Sequence, residues 1–398
     1  MLIAYLQTPN SFPAAALNLS FNAGNSTTIK REHSTFSRRY QKQGMQKNRF
    51  LPFLSAFFLF TMFFSSTVLH AQIGGRGTYD FLNTTVSPRV AALGGSALPI
   101  DDNDIQLTAF NPALINPAMN NQLSLSYVDY YADLGFSSVQ FGKKIENVGN
   151  FVASLHYFNY GKFEYADETG NRDNTFGASD YSLSLGWGRQ LDSNFSIGAN
   201  AKFIASQFES YNSFGIAVDV AGTYLSKSGW LFSLTARNIG SELKSYLPGD
   251  ASAMPFSMQL GVSKRLDHVP FRLILLYDHI QKWDLTYKDP IDLKGRIDPI
   301  TGVSSELNGA EKFADQFMRH IILGGEFYIG KGLTLRGSYN YKRRQEMQVP
   351  DKLAMIGFAW GVGIKISKFQ INYARSTFHV VGSPNYISIA TNLDSFKR

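Results

Sequence analysis

The stretch Tyr181-Ser182-Leu183-Ser184-Leu185-Gly186-Trp187-Gly188 has a large apolar residue at every odd position and a small or polar residue at every even one. This alternation is the two-residue period of a β-strand whose two faces meet different surroundings. The same period recurs in four further stretches, at 195–203, 256–263, 333–342 and 356–364. One face of the predicted sheet is therefore consistently apolar, and the other is small or polar.

Candidate strands continue to the end of the chain and number fourteen. They are predicted near 123–131, 137–143, 149–159, 180–190, 195–207, 214–225, 230–238, 255–265, 271–280, 319–329, 333–343, 354–366, 369–377 and 384–393. Most are close to the roughly 9 to 11 residues that a tilted strand needs to cross a bilayer. The pattern predicts an all-β protein, a transmembrane outer-membrane β-barrel of about 14 antiparallel strands over residues 121–398.

The predicted connections alternate in length along the chain. The short ones carry turn residues, at 192–194, 226–229, 267–270, 330–332 and 367–368. The longer ones fall between them, at 160–179, 207–213, 239–254, 281–318, 344–354 and 378–383. Outer-membrane barrels keep tight turns in the periplasm and long loops outside, so we expect both chain ends in the periplasm. A soluble β-sandwich is the alternative for such strands, but Gly, Ala and Ser on the less apolar face favour a closely packed lumen.

Composition excludes several classes of protein. The 398 residues include no Cys, which excludes disulfide scaffolds, zinc ribbons and cysteine nucleophiles. The net charge of +7 would suggest a nucleic-acid partner, but residues 1–71 hold seven basic residues and one acidic residue. The remainder has 31 basic residues against 30 acidic ones, so we expect no nucleic-acid partner.

The region 45–71 reads as a secretory signal peptide. It has a cationic start, MQKNRF, an apolar stretch over 50–64 and the small residue Ala71 at the predicted cleavage site. The apolar stretch is shorter than the roughly 20 residues of a transmembrane helix. We interpret 1–44 as an upstream extension outside the native protein, with Met45 as the true start. The alternative is a cytoplasmic extension in front of a signal anchor.

Residues 72–120 show no alternation and precede the first strand. They contain an ALGG motif with Gly94 and Gly95, an acidic group with Asp101 and Asp102, and an NPA motif. The NPA motif consists of Asn111, Pro112 and Ala113. Fourteen strands enclose more space than wall side chains fill, so we expect this segment to form an N-terminal hatch, or plug. A periplasmic tail is the alternative.

These motifs resemble those of known outer-membrane proteins. ALGG, an acidic pair and NPA ahead of an alternating barrel resemble the FadL-type outer-membrane family, whose N-terminal segment forms a hatch inside a 14-stranded barrel. The strings 79–83 (YDFLN), 88–95 (PRVAALGG), 123–127 (LSLSY) and 131–133 (YAD) are similar to the PorQ family of type IX secretion proteins. That resemblance implies a surface attachment complex with the sortase PorU, the related barrel PorV and the surface protein PorZ. The lipid bilayer is a further expected partner, together with lipopolysaccharide.

No catalytic pattern is present in the sequence. The seven His are scattered, and HExxH, GxSxG, Walker and dinucleotide motifs do not occur, so we expect no enzyme, no cofactor and no metal site. Asp101, Asp102 and Asp104 could bind calcium, but they lack the spacing of a calcium loop, which favours a solvated turn or a hatch contact. The acidic loop 167–173 has the same two interpretations.

The connection 281–318 is long enough to suggest a function of its own. Asn308 and Glu311 resemble a helix cap pair, and Ala310, Phe313, Ala314 and Phe317 share one helical face. We therefore predict a short amphipathic helix with Phe313 and Phe317 as partner contacts. The alternative is that this face packs on the loop or on the barrel rim.

Two functions remain in competition. One is a non-catalytic anchor in type IX secretion that holds a surface partner. The other is a FadL-like channel for hydrophobic small molecules, which would be favoured by an apolar pocket facing the lumen. Both share the fold, the compartment and the hatch.

The leader generates the first testable prediction. We expect the membrane-extracted protein to begin at or near Gln72, because the cationic start, the apolar stretch and Ala71 form a signal peptide. Intact-mass measurement and N-terminal sequencing check this. A mature species that retains residues 1–44 would contradict both the start site and the signal peptide.

Overall fold

The computed structural model describes residues 78–130, 134–166, 169, 171–172, 174–249, 252–286, 309–347, 355–378 and 382–397. The predicted extension 1–44, the signal peptide 45–71, the first part of the predicted hatch at 72–77, Asn308 and all three acidic residues of loop 167–173 lie outside the described residues. Within the described ranges, no helix has the length and apolar character to cross a membrane.

Fourteen antiparallel strands close into one barrel, in which β1 pairs with both β2 and β14. Their bounds are β1 Gln122–Asp129, β2 Gly135–Ile145, β3 Gly149–Glu164, β4 Thr175–Gln190, β5 Phe195–Phe208, β6 Tyr211–Leu225, β7 Trp230–Lys244, β8 Ser257–Arg265, β9 Phe271–Tyr277, β10 Ile321–Ile329, β11 Leu333–Asn340, β12 Phe358–Ile366, β13 Phe369–Ser376 and β14 Asn385–Asn392. The fold class and all fourteen strands predicted from the alternation are confirmed, with ends that differ by a few residues.

The two faces of each strand carry different kinds of side chain. In β4, Leu183 and Leu185 are 52% and 51% exposed on the outer face, while Ser182 and Ser184 are buried on the inner face. Large apolar side chains thus point outward, where lipid would surround them, and small or polar side chains point inward. A soluble β-sandwich buries its large apolar side chains and exposes its polar ones. The structure therefore supports the barrel and not the sandwich.

Connections of unequal length lie at the two ends of the barrel. One end, here called the short-turn end, has the connections 146–148, 191–194, 226–229, 266–270, 330–332 and 367–368. The other, the long-loop end, has 130–134, 165–174, 209–210, 245–256, 278–320, 341–357 and 377–384. The expected longer loop at 207–213 is wrong, because β5 and β6 pair as far as Phe208 and Tyr211 and leave a two-residue turn. Glu209 makes this turn with a left-handed φ of 57°.

The predicted hatch is confirmed as a segment that fills the lumen. Its regular pieces are the 3-10 turns Asp80–Asn83, Ile105–Leu107, Pro112–Leu114 and Pro117–Met119 and the helix α1, Pro88–Ala92. The hatch starts beside Ser213, near the long-loop end of β6, and ends beside Gly142, near the short-turn end of β2. Two helices lie in the long connections, α2 at Gly309–Arg319 and α3 at Tyr341–Met347, the latter where β11 was expected to continue.

Topology generates the second prediction. Because the native chain has no Cys, single cysteines report the side of the membrane without background. Thr169→Cys, in the connection 165–174, is expected to react with an impermeant maleimide on intact cells, whereas Ser193→Cys, in the connection 191–194, is expected to react only after lysis. Labelling of Ser193→Cys on intact cells would reverse the orientation.

Candidate functional site

Small residues on the inner wall allow the hatch to approach the strands closely. A Cβ added to Gly198 in β5 would lie 2.2 Å from the carbonyl oxygen of Pro112, and one added to Gly142 in β2 would lie 2.2 Å from that of Met119. At Gly188 in β4 the nearest atom would be Cβ of Ile115, at 2.5 Å. Any side chain at these positions would displace the hatch. The Gly-rich inner face is therefore the surface on which the hatch packs.

The two glycines of the ALGG motif end helix α1. Gly94 and Gly95 have φ values of 111° and 82°, a backbone region that favours glycine. The amide of Gly95 donates to the carbonyl of Val90 at 2.8 Å, and that of Gly94 donates to Ala91 at 3.4 Å, which together form a Schellman cap. Gly94 also lies against Ile322, whose Cγ2 would be 2.3 Å from an added Cβ.

The NPA motif joins two parts of the hatch to the wall. Asn111 is fully buried, and its side-chain amide donates to the carbonyl of Leu98 at 3.2 Å. Pro112 begins a 3-10 turn, and Ala113 lies with it against Gly198. The motif thus fixes a hatch turn near the short-turn end of β5.

The acidic group binds an arginine of the hatch itself. Arg89 in α1 donates from Nη2 to Oδ2 of Asp102 at 2.6 Å and from Nη1 to Oδ2 of Asp104 at 3.1 Å. Asp104 also accepts from the amide of Gln106 and so caps the turn that follows. Asp101 is exposed. Of the two interpretations of this group, the hatch contact is the one that the structure shows for Asp102 and Asp104.

Arg89 also joins the hatch to the barrel wall. Its Nε and Nη2 donate to the two oxygens of Glu326 in β10, at 2.8 and 2.9 Å, in a bidentate pair. Glu326 in turn accepts from Arg272 in β9 and from Arg336 in β11, each at 2.9 Å. Neither oxygen of Glu326 is exposed to solvent. We call Arg89, Asp102, Asp104, Arg272, Glu326 and Arg336 the hatch clamp.

The charges of the hatch clamp balance. Three guanidinium groups face three carboxylates, so the buried group is neutral as a whole. Burial alone would lower the pKa of Arg89, but Asp102, Glu326 and Asp104 raise it above its ordinary value, and the guanidinium stays charged. Removing one partner would leave an uncompensated buried charge.

A second group of buried polar residues lies on strands β5 to β7 of the wall, and one of them contacts the hatch. Lys202 in β5 pairs with Asp219 in β6 at 2.7 Å, and both are buried. Arg237 in β7 donates to the carbonyl of Leu82 at 2.9 Å, and its guanidinium lies 4.0 Å from the ring centroid of Phe110. Arg237 therefore gives the hatch a second polar contact with the wall, away from the hatch clamp.

Sequence reasoning missed the wall partners of the hatch. Arg336 was placed on the polar face of its predicted strand, and neither it nor Glu326 nor Arg272 was given a role. The available signal was the charge itself, because a charged residue inside a membrane-spanning strand must face the lumen and find a partner. Which residue pairs with it depends on the order of the strands in the barrel, and the sequence pattern of one strand does not indicate that order.

The predicted amphipathic helix is confirmed as α2, and it carries an exposed aromatic patch at the long-loop end. Phe313 is 60% exposed and packs on Trp283 with ring centroids 5.2 Å apart. Phe317 is 41% exposed and lies 6.0 Å from Tyr277, the last residue of β9. Tyr277 shares the outward face of Leu273 and Leu275, so the patch faces away from the lumen. The alternative that this apolar face packs on the loop or rim holds in part, because both Phe residues contact rings there while they stay 60% and 41% exposed.

Aromatic rings also line the lumen at the long-loop end, above the hatch. Phe158 is buried between Phe81 of the hatch and Phe136 of β2, with centroids 4.9 and 4.5 Å away. Tyr130 and Tyr160 extend this group toward the loops. These rings form an aromatic group in the lumen at the long-loop end, beside the buried carboxylate of Asp180, which accepts a hydrogen bond from Tyr160.

Comparisons with known proteins concern the fold. No protein-family model and no curated protein matches the chain. Among solved structures, the chain is similar to the Pseudomonas putida toluene transporter TodX, at 13% identity and a TM-score of 0.46 over 77% of this chain and 96% of that one. The Ralstonia pickettii toluene transporter TbuX is similar at 10% identity and a TM-score of 0.47, over 78% and 99% of the two chains. KdgM porin is more distant, at 5% identity and a TM-score of 0.30 over 68% and 98%.

At these values the likeness extends to the barrel fold alone. The strand order of this chain, with its lumen filled by the N-terminal segment, is the architecture that the FadL-type resemblance implies. What TodX and TbuX transport is a property of those proteins.

The hatch clamp generates the third prediction. Glu326→Gln removes the carboxylate shared by Arg89, Arg272 and Arg336, so we expect the free energy of unfolding to fall by about 3 to 5 kcal/mol, as for other broken buried ion pairs. Urea unfolding of the refolded barrel measures this. The matched control is Glu164→Gln, which removes an exposed ion pair with Arg172 and is expected to cost at most about 1 kcal/mol. Equal losses in the two variants would show that the clamp does not stabilise the fold.

Proposed function

We propose that this protein is a non-catalytic, integral outer-membrane barrel of the type IX secretion system, of the PorQ family, which anchors a partner at the cell surface. The partners would be PorZ, PorU or PorV-like components of an attachment complex, next to the lipid bilayer and lipopolysaccharide of the outer leaflet. The observation that carries the proposal is the lumen filled by a hatch whose Arg89 forms a buried ion pair with Glu326 of the wall. The family name itself rests on the sequence resemblance.

The attached hatch favours an anchor over a channel. Opening the lumen would separate Arg89 from Glu326 while both are buried, and breaking a buried pair of this kind costs about 3 to 5 kcal/mol. The closely fitted wall glycines add a steric reason, because the hatch has no room to shift sideways at Gly142 and Gly198. A barrel closed in this way presents its outer loops on a rigid base.

The aromatic patch of α2 supplies the contact surface. Phe313 and Phe317 expose apolar rings on the outward side of the rim, where water would otherwise cover them. Asp315 pairs with Arg319 at 2.7 Å on another side of the helix and also accepts from Tyr341 of α3 at 3.0 Å, so the helix is held in place independently of its Phe residues. A held helix with an exposed apolar face fits a protein groove.

A FadL-like channel for hydrophobic small molecules is the second candidate. The solved structures reported above include transporters and a porin, but at their TM-scores they carry no argument for this chain. The favouring observation is the aromatic group in the outer lumen, where Phe136, Phe158 and Tyr160 would be the first side chains met by an apolar molecule. A channel would require the hatch to move aside below them.

Two measurements on the intact protein separate the candidates. Copurification from gently solubilised outer membranes, followed by mass spectrometry, is expected to recover attachment-complex proteins. Liposomes containing the purified barrel are expected to show no faster uptake of a hydrophobic fluorophore than empty liposomes. A barrel that accelerates uptake and copurifies with no protein would establish the channel instead.

The patch generates the fourth prediction. Phe313→Ser combined with Phe317→Ser should release the partner while the barrel still folds, because the variant removes exposed apolar area and only the ring contacts with Trp283 and Tyr277 at the rim. Pull-down of the complex and heat-modifiability on a gel measure partner and fold. The matched control replaces Phe163 and Phe176 by Ser, a stacked pair at the long-loop ends of β3 and β4. If the α2 variant folds and keeps its partner, this patch is not the contact.

A further inference from the structure

The short-turn end of the barrel carries an excess of positive charge. Its hairpins and strand ends hold ten Lys or Arg residues against four Asp or Glu residues, over 143–149, 189–195, 225–231, 264–271, 328–333, 364–369 and 392–397. Residues 72–398 as a whole are almost neutral, with 31 basic residues and 30 acidic ones. The excess therefore belongs to this end of the barrel and not to the chain in general.

The cations are spread around the whole short-turn rim. Every one of the six hairpins there, taken with its strand ends, carries at least one cation: Lys144, Arg189, Lys227, Lys264, Lys331 and Lys368. Strands that follow one another in the chain are neighbours in the barrel, so these hairpins follow one another around the circumference. A protein partner would cover one side of such a rim, whereas a lipid leaflet surrounds it.

Most of these cations have no carboxylate partner within the chain. Among the described residues of the rim, ion pairs join Lys144 to Glu146 at 2.8 Å and Lys397 to Asp394 at 2.5 Å, and no others form. The carboxylate of Asp192 accepts from the backbone amide of Asn194 at 2.7 Å and so belongs to its own turn. The other cations of the rim are exposed, except for the half-buried Lys264, and are available to anions outside the chain.

Aromatic rings lie on the outward face at the same level as the cations. Trp230, the first residue of β7, is 40% exposed, and Nζ of Lys264 on the neighbouring strand lies 5.3 Å from its ring centroid. Nζ of Lys368 lies 4.6 Å from the ring centroid of Phe396 in the same way. Outward aromatic rings at the ends of membrane-spanning strands lie at the level of the lipid headgroups. Lysines beside them therefore place their ammonium groups where lipid phosphates are found.

We propose that the short-turn rim binds the phosphate groups of anionic phospholipids in the leaflet that surrounds this end of the barrel. The ring of cations matches the charge of the phosphates, and the aromatic rings between them match the boundary between headgroups and acyl chains. Contacts of this kind hold the rim at a fixed depth in the membrane. The cations lie at the opposite end from the patch on α2, so this binding is expected whether or not the protein anchors a surface partner.

Tryptophan fluorescence tests the lipid preference at a single position, because the chain has only four Trp. One full-length variant keeps Trp230 and carries Phe at the other three positions, and the matched control keeps Trp360, on the outward face near the long-loop end of β12. Both are reconstituted in vesicles of equal parts phosphatidylcholine and phosphatidylglycerol, with one of the two lipids brominated so that it quenches nearby Trp. We expect phosphatidylglycerol to be preferred several-fold beside Trp230 and not beside Trp360. Equal quenching by the two lipids at Trp230 in a folded barrel would overturn the proposal and favour an acidic protein at the rim.

Neutral substitutions test whether the lysines carry this preference. In the variant that keeps Trp230, Lys227→Gln combined with Lys264→Gln is expected to bring the ratio of the two lipids close to one. Lys162→Gln combined with Lys312→Gln removes the same charge from exposed positions at the long-loop end and is expected to leave the ratio unchanged. A preference that survives loss of Lys227 and Lys264 would show that these lysines do not bind the lipid.

Salt separates lipid phosphates from free phosphate as the occupant of the rim. In the same vesicles, sodium chloride is expected to lower the preference at Trp230 by screening, and inorganic phosphate at equal ionic strength is expected to do no more than chloride. A heat-modifiability gel confirms that each variant is folded. If inorganic phosphate abolishes the preference where chloride does not, the rim binds the free anion and the lipid proposal is wrong.

Discussion

The buried bidentate pair between Arg89 and Glu326 is the interaction on which the rest of the barrel interior depends. Charges in a membrane-spanning wall cannot face lipid, so Arg272, Glu326 and Arg336 turn inward and must be compensated there. The wall alone would leave two arginines against one glutamate. The hatch adds one arginine and two aspartates, which makes the hatch clamp neutral. The wall residues and the hatch residues of the clamp thus each carry a net charge, and the two sets are neutral only together.

The outer and inner faces of the wall also differ in the size of their side chains. Lipid requires large apolar residues on the outside of every strand, and a filled lumen requires small ones on the inside. The glycines of the inner face are therefore matched to particular hatch residues, as Gly198 is to Pro112. The hatch and the inner face of the wall therefore fit closely at these positions.

Helix α2 lies in a long connection at the long-loop end of the barrel. Helix α2 is tied to α3 through Asp315 and Tyr341, so its exposed Phe residues are presented at a fixed place on the rim. The described part of the hatch begins at the same end of the barrel, where Tyr79 lies beside Ser213.

The amino-acid sequence by itself determined the strands, their two faces, the hatch and helix α2, because each is encoded in local periodicity or in short motifs such as ALGG and NPA. It also indicated that short and long connections alternate along the chain, although the turn at Glu209 is shorter than its polar neighbours suggested. Only the tertiary structure decided that Arg89 meets Glu326 across 237 positions of sequence, and that Tyr79 lies at the long-loop end. The physical reason is that ion pairing and chain direction inside a barrel depend on which strands become neighbours on closure, and periodicity along one strand carries no record of its neighbours.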